Sequence, residues 1–255
     1  MSEKQIQEAA RLIVDSPSTV ALTGAGISTE SGIPDFRGPD GLWTKVDPMK
    51  FASVDAFLSD PKAWWETAVQ IAPTLLDAKP NAAHKGLAKL EKMGLLQCII
   101  TQNVDGLHQR SGSQHVLEVH GNLVNAVCIV CNDRVGRQYI ERKIKKKQLP
   151  PTCPTCGGIL KLDAVLFGEA LPQDVYRQAV TVAGNCRLMI VVGSSLTVYP
   201  AASLPSIATQ TGARLIIVNQ EQTPFDAEAD LVFHSIAGAT LTTIVEAVHA
   251  LRGKR

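Results

Sequence analysis

The chain has 255 residues, 45% of them apolar and 19% charged, with a formal net charge of +1. That length buries a large core in one domain or two, and the near-balanced charge excludes an overall field directed at nucleic acid or membrane. No apolar run approaches the roughly 18 residues of a membrane span, and the polar opening Met1-Ser2-Glu3-Lys4-Gln5 lacks the apolar stretch of a secretory signal, so a cytoplasmic protein is expected.

In chain order, Ile6, Ala9, Ala10, Ile13 and Val14 recur at helical spacing over residues 5–14. Residues 18–23 read as a buried strand ending in Gly24-Ala25-Gly26, with Thr29 where a dinucleotide fingerprint wants its third glycine. Glycines permit a tight turn and close approach of a phosphate, and the amides opening the next helix would face it. A plain strand-to-helix turn explains the triplet equally well. The sequel Gly32-Ile33-Pro34-Asp35-Phe36-Arg37-Gly38 breaks where a long helix would run, and it gathers an acid, a ring and a guanidinium. Such a loop resembles a lid over a ligand.

Residues 32–60 read as a long, mostly irregular excursion, with breaks at Pro34, Pro39 and Pro48. A helix is expected over 61–76, its Trp64 and Trp65 better suited to a core than to ligand stacking. Asn81 caps a helix running to Lys92, which Gly94 ends. A strand over 95–101 runs into Gln102-Asn103-Val104-Asp105-Gly106-Leu107-His108, and a short one over 116–119 reaches His120-Gly121. Further strands over 165–167, 187–192, 215–218 and 230–234 alternate with helices over 172–183, 201–211 and 240–251. The near-continuous apolar run of 187–192 suits a strand buried on both faces.

Four of the six cysteines form two pairs, Cys128-x-x-Cys131 and Cys153-x-x-Cys156, with 21 residues between them. Two such knuckles close a tetrahedral zinc shell, and four thiolates leave the metal no open position for chemistry. Cys98 and Cys186 flank apolar strands and read as inert thiols. Between the knuckles, Arg142-Lys143-Ile144-Lys145-Lys146-Lys147 is either a solvated helix face, the favoured reading, or a polyanion-binding run.

Strands alternating with helices predict an α/β fold, a doubly wound parallel sheet. Its ligands bind beyond the carboxyl ends of the strands. The polar clusters at 24–28, 102–105, 193–195 and 219–220 all fall there and describe one crevice. The ribbon, inserted between strands, is expected to form a smaller domain across it.

Taken together, Gly24-Ala25-Gly26-Ile27-Ser28, Gly32 to Gly38, Thr101 to His108, His120-Gly121, the two cysteine pairs, Phe167-Gly168-Glu169 and Gly193-Ser194-Ser195-Leu196 follow the order of motifs in the sirtuins. The resemblance covers about residues 9–251 and is closest to core-only bacterial and archaeal members. It implies an NAD-dependent protein-lysine deacylase, chiefly a deacetylase, yielding free lysine, nicotinamide and O-acyl-ADP-ribose. It implies a Rossmann-like domain of residues 1–31, 79–121 and 168–255. A small domain would comprise a helical module (32–78) and the zinc ribbon (122–167), with one structural zinc ion per chain.

The resemblance also assigns residues. NAD would meet Gly24, Ala25, Gly26, Thr29, Gly193, Ser194 and Ser195 along its phosphates and ribose, and Asn219, Gln220 and Ala237 at the adenosine end. Phe36, Val104 and Asp105 would line the nicotinamide pocket, with Asp105 accepting from the carboxamide and Gln102 also meeting NAD. Asp35 and Arg37 would order the covering loop. His120 would act as base and Asn103 would hold the ribose or a water. The acyl-peptide would add as a strand between Val165, Phe167, Gly168 and Glu169 on one side and Val198 and Tyr199 on the other. Acetylated proteins are the expected partners, with nucleic acid not expected and a monomer expected. Lys161-Leu162 departs from the family's common Arg-Pro, which leaves the path out of the ribbon open. Ala68 and Ile71 fall where succinyl-preferring members carry a Tyr and an Arg. ADP-ribosyl transfer to protein, NAD hydrolysis and a nucleic-acid-binding ribbon are the rival readings.

Overall fold

The computed structural model describes residues 2–35 and 47–253, so Phe36 and Arg37 lie outside the described residues. The principal sheet has six strands: β1 (Thr19–Thr23), β2 (Cys98–Thr101), β3 (Val116–Glu118), β7 (Leu188–Val192), β8 (Arg214–Val218) and β9 (Leu231–Phe233). They lie in the order β3-β2-β1-β7-β8-β9, and every pairing is parallel. From β1 the chain winds outward to β2 and β3, then returns to β7 and winds the other way. The reversal lies between β1 and β7, where ligands of such sheets bind.

Apolar residues face both ways along each central strand, at the period of two a pleat requires. Ala21, Ile99, Ile190 and Ile216 pack on one side with residues of helices Glu3–Asp15, Ala82–Lys92 and Ala237–Arg252. Leu22, Ile100, Val191 and Ile217 pack on the other with residues of helices Gln173–Asn185 and Leu204–Gln210. The helix boundaries have local causes. Ser2 and Gln5 form a capping box before the first helix, and Asn81 accepts from Ala83 and His84 amides at the start of another. Gly94 then reverses the chain at φ +74°.

The second sheet is antiparallel, ordered β5 (Arg134–Val135), β4 (Gly121–Cys128), β6 (Leu160–Ala164). Helix Pro61–Leu76 packs on it through Trp65, whose Nε1 donates to Leu160 O at 2.8 Å, while Trp64 Nε1 donates to Phe51 O at 2.8 Å. Both tryptophans are buried, and they meet edge-on, centroids 5.7 Å apart. The basic run forms the end of helix Arg137–Lys145, where positive charge complements the helix dipole. Arg142 and Lys143 lie over the Tyr139 ring at 5.4 and 5.6 Å, while Ile140 faces the core.

Three expectations are corrected. Within the stretch 32–60 expected to be mostly irregular, Pro48–Phe51 and Val54–Ser59 are helical, the second capped by Ser53 Oγ accepting from Ala56 N. Residues 95–97 do not join β2; instead the Gln97 side chain accepts from the Thr19 amide at the mouth of the sheet. The strand expected over 165–167 lies earlier, at β6, because antiparallel pairing with β4 captures residues 160–164. Residues 165–167 are stitched to two other segments: Val165 N donates to His120 O at 2.8 Å and Phe167 N to Ala52 O at 2.7 Å.

Candidate active site

Beyond the carboxyl ends of β2, β1, β7 and β8 lies a cavity of about 1010 Å³ that also reaches between helix Pro61–Leu76 and the ribbon. Its wall includes Gly24, Ala25, Gly26, Thr29, Asp35, Gln102, Asn103, Val104 and His120. Gly193, Ser194, Ser195, Asn219, Gln220 and Ala237 continue it, and Val165, Phe167, Gly168, Glu169, Val198 and Tyr199 rim the far side. Thus four strand ends and the 165–169 segment share one chamber, of a size suited to a large cofactor.

The glycines at the reversal have a reason the sequence did not show. A Cβ on Gly24 would lie 2.8 Å from Gly193 O, one on Gly26 2.9 Å from Gly193 Cα, and one on Gly193 2.1 Å from Ile27 N. Gly26 N donates to Gly193 O at 2.8 Å. The two loops pack backbone on backbone, and Gly193 sits at φ +61°, where a side chain would be strained. The segment after Gly24 is a 3-10 helix, Ala25–Ser31, stopped by Gly32 at φ +83°, so the expected break before Pro34 is present.

Behind the wall lies a buried polar network. Thr23 and Thr101, paired in the β1–β2 register, share a hydroxyl hydrogen bond of 2.8 Å. His108 Nε2 lies 2.9 Å from Thr23 Oγ1, and the Asn103 amide donates to Thr101 Oγ1 at 3.1 Å. Because the Thr23 proton goes to Thr101, His108 is the donor to Thr23, which makes it the Nε2–H tautomer. Asn103 Nδ2 donates to Ser28 Oγ at 3.1 Å, and Ser28 donates to Asp105 Oδ2 at 2.7 Å. His84 lies 3.0 Å from Asn81 Oδ1 through Nδ1, and its ring centroid is 4.9 Å from that of His108. Burial pushes His84 down to about 4 and His108 to about 3, so both are neutral.

Asp105 joins this network, accepting from Ser28 Oγ at 2.7 Å and from the Leu107 amide at 2.9 Å. Ser28, His84, His108, Thr23 and Thr101 were not assigned from sequence. The available signal was a threonine closing each of two adjacent strands, which only their register makes meaningful.

His120 follows β3 and lies on the cavity wall. Its Nδ1 lies 3.0 Å from Gln102 O, so Nδ1 carries the proton and Nε2 is the basic nitrogen. Burial, partly offset by that hydrogen bond, lowers its pKa. Gln102 also donates to Ser194 Oγ at 2.9 Å, tying the β2 and β7 loops together. Cys98 and Cys186, by contrast, are pushed up to about 12 and about 11 by burial and are inert thiols.

The four ribbon thiols lie within 4.8 Å of one another. Three Sγ–Sγ separations are 3.5, 3.7 and 3.3 Å, close to the edge of about 3.8 Å that a tetrahedron of zinc–sulfur bonds implies. Val130 N and Gly158 N each point at a sulfur from 3.4 Å, a second shell suited to thiolates. The residues therefore fit a structural zinc ion.

Ala68 and Ile71 both lie on the cavity wall, beside Val69, Ala72 and Leu75. Among the described lining residues Arg137 is the one lysine or arginine, and Glu141 holds it at 2.6 Å.

The Sir2 family model matches residues 24–200. A NAD-dependent protein deacetylase of Caldivirga maquilingensis is 45% identical over 245 residues, 96% of this chain and 94% of that protein. One solved Sir2 enzyme superposes with a TM-score of 0.90 at 45% identity, covering 98% of this chain and 100% of the other. A Sir2 complex with a p53 peptide and NAD+ superposes with a TM-score of 0.86 at 40% identity, again covering 98% and 100%. With the family model spanning most of the chain and this identity carried nearly end to end, the chain belongs to the Sir2 family, the sirtuins.

Proposed function

We propose that this chain is an NAD-dependent protein-lysine deacylase, chiefly a deacetylase, whose base is His120. The observation that carries the assignment is the anchored imidazole. Gln102 O holds Nδ1–H, leaving neutral Nε2 on the wall of a chamber that also includes the Gly24–Gly26 turn. A burial-lowered pKa keeps that nitrogen unprotonated at neutral pH, as a general base requires.

The remaining residues divide the work. Gly24, Ala25, Gly26, Thr29, Gly193, Ser194 and Ser195 bind the phosphates and ribose of NAD, and Asn219, Gln220 and Ala237 hold the adenosine end. Asn103, fixed through its amide and side chain, orients the reacting ribose or a water; Val104 and Asp105 line the nicotinamide end, with Asp105 accepting from the carboxamide. Val165, Phe167, Gly168 and Glu169 take the peptide main chain opposite Val198 and Tyr199. The apolar wall excludes water, the competing nucleophile, while the acyl oxygen displaces nicotinamide. His120 then takes the proton of the ribose hydroxyl that attacks the acyl carbon. Zinc, held by Cys128, Cys131, Cys153 and Cys156, supplies folding free energy to the ribbon. The reading keeps the division into residues 1–31, 79–121 and 168–255 against 32–78 and 122–167, supported by two sheets with separate cores. It includes a monomeric cytoplasmic enzyme, to be checked by light scattering and cell fractionation.

Incubating the protein with an acetyl-lysine peptide, with and without NAD, tests the reading. NAD-dependent loss of the acetyl group with formation of O-acetyl-ADP-ribose by mass supports it. ADP-ribosylated protein, or free ADP-ribose alone, overturns it.

A further inference from the structure

Lys161 lies in β6, and its side chain is only 8% exposed. An ammonium has three N–H donors, and three acceptors surround this one: Leu162 O at 3.0 Å, Ala164 O at 2.7 Å and Glu169 Oε2 at 3.0 Å. The same carboxylate oxygen accepts from Leu166 N at 2.8 Å. Every donor of a buried cation is thus spent on one short stretch, residues 162–169.

That stretch leads from the ribbon to the cavity rim. Its middle is held by main chain: Val165 N to His120 O at 2.8 Å, Phe167 N to Ala52 O at 2.7 Å, and Val54 N to Phe167 O at 3.0 Å. Its two ends have Lys161. The ammonium bonds to Leu162 O inside β6 and to Ala164 O at its end, and so restrains the exit from β6. It also neutralises Glu169, a rim carboxylate that would otherwise repel acidic peptide.

We infer that Lys161 is a positioning residue for the acyl-peptide: it fixes residues 164–169 in the shape that receives the substrate main chain and cancels the charge of Glu169 there. The inference rests on the reading that peptide docks on residues 165–169.

The test uses Lys161→Met and Lys161→Arg, with two acetyl-lysine peptides, one flanked by Glu and one by Lys. Zinc content, thermal midpoint, kcat and the KM of each substrate are measured. Lys161→Met is expected to raise peptide KM about tenfold or more, the loss of a charge-assisted anchor, and to raise it further for the Glu-flanked peptide. Its kcat stays within about twofold and the KM for NAD is unchanged, as loss of peptide binding alone requires. Lys161→Arg restores peptide KM, since a guanidinium can serve the same acceptors. An unchanged peptide KM overturns the inference, as does a parallel loss of kcat and NAD affinity. If Lys161→Met loses its zinc or fold, the same criteria apply to Lys161→Gln, and loss in both variants assigns Lys161 a general structural role. Failure of the wild type to deacetylate either peptide instead defeats the functional reading.

Discussion

The sheet half and the ribbon half meet at one cavity but are held by different physics. The parallel sheet buries apolar residues on both faces, and its central strands β1 and β7 are buried throughout. The ribbon sheet has one small core around Phe57, Trp64, Trp65 and Leu160, so metal and side-chain ties carry more of its order. The first half can therefore house neutral, buried polar groups in fixed tautomers. The second half supplies a wall and a rim that depend on zinc, tryptophan N–H bonds and one ammonium. On the proposed function, chemistry lies where the scaffold is self-sufficient, and the peptide is read where it is not.

The largest expected effect breaks the halves apart. Replacing Cys128 or Cys153 by Ala removes zinc, whose binding free energy is on the order of 10 kcal/mol and goes into folding. Near-ultraviolet circular dichroism should lose the Trp64–Trp65 signal and activity should vanish, while far-ultraviolet signal from the sheet half largely remains. Active protein lacking zinc by metal analysis would contradict the contrast.

Next in size is a change confined to the sheet half. His120→Ala should cost roughly 10²–10⁴ in deacylation, the usual worth of a general base. Exchange of labelled nicotinamide into NAD should persist at a reduced level, because it precedes the base-dependent step. Equal loss of both in a folded variant that still binds NAD assigns His120 to an earlier step.

A smaller effect concerns stability against pH. Burial pushes His84 down to about 4 and His108 to about 3, below the ordinary histidine value of 6.5. The unfolded state therefore binds more protons between those values, and stability is lost as pH falls from 6.5 toward 4. Burial raises Glu118, which opposes this trend as a single group. Each histidine contributes up to about 1.4 kcal/mol per pH unit in that window. Thermal unfolding followed from pH 7 to 4 checks it, and a flat midpoint across the range contradicts the neutral buried pair.

The smallest effect sharpens the wall contributed by the ribbon half. Ala68 and Ile71 offer no cation, and Arg137 is paired with Glu141, so a succinyl group would lose solvation without replacement. We expect acetyl to exceed succinyl by about tenfold or more in kcat/KM on one peptide, desolvation of a carboxylate being costly. Glu141→Gln, by freeing Arg137, should narrow that ratio, only modestly because both side chains are half exposed. Equal turnover of the two substrates by the unaltered protein identifies Arg137 as already available.

Local information was enough for much of this molecule. The central strands, the Asn81 and Gly94 boundaries, the thiol pairs and the polar strand ends follow from patterns within a few residues: burial period, capping chemistry and ligand spacing. Only tertiary structure decided why Gly24, Gly26 and Gly193 are glycines, since the reason is a contact between loops far apart in sequence. It also decided that residues 160–164 pair with β4, displacing the expected strand. It joined Asp105 to Ser28, and it buried Lys161 against three acceptors that no spacing rule assembles. Periodicity reports which face of an element is apolar; it carries no information on which distant backbone or carboxylate that element will meet.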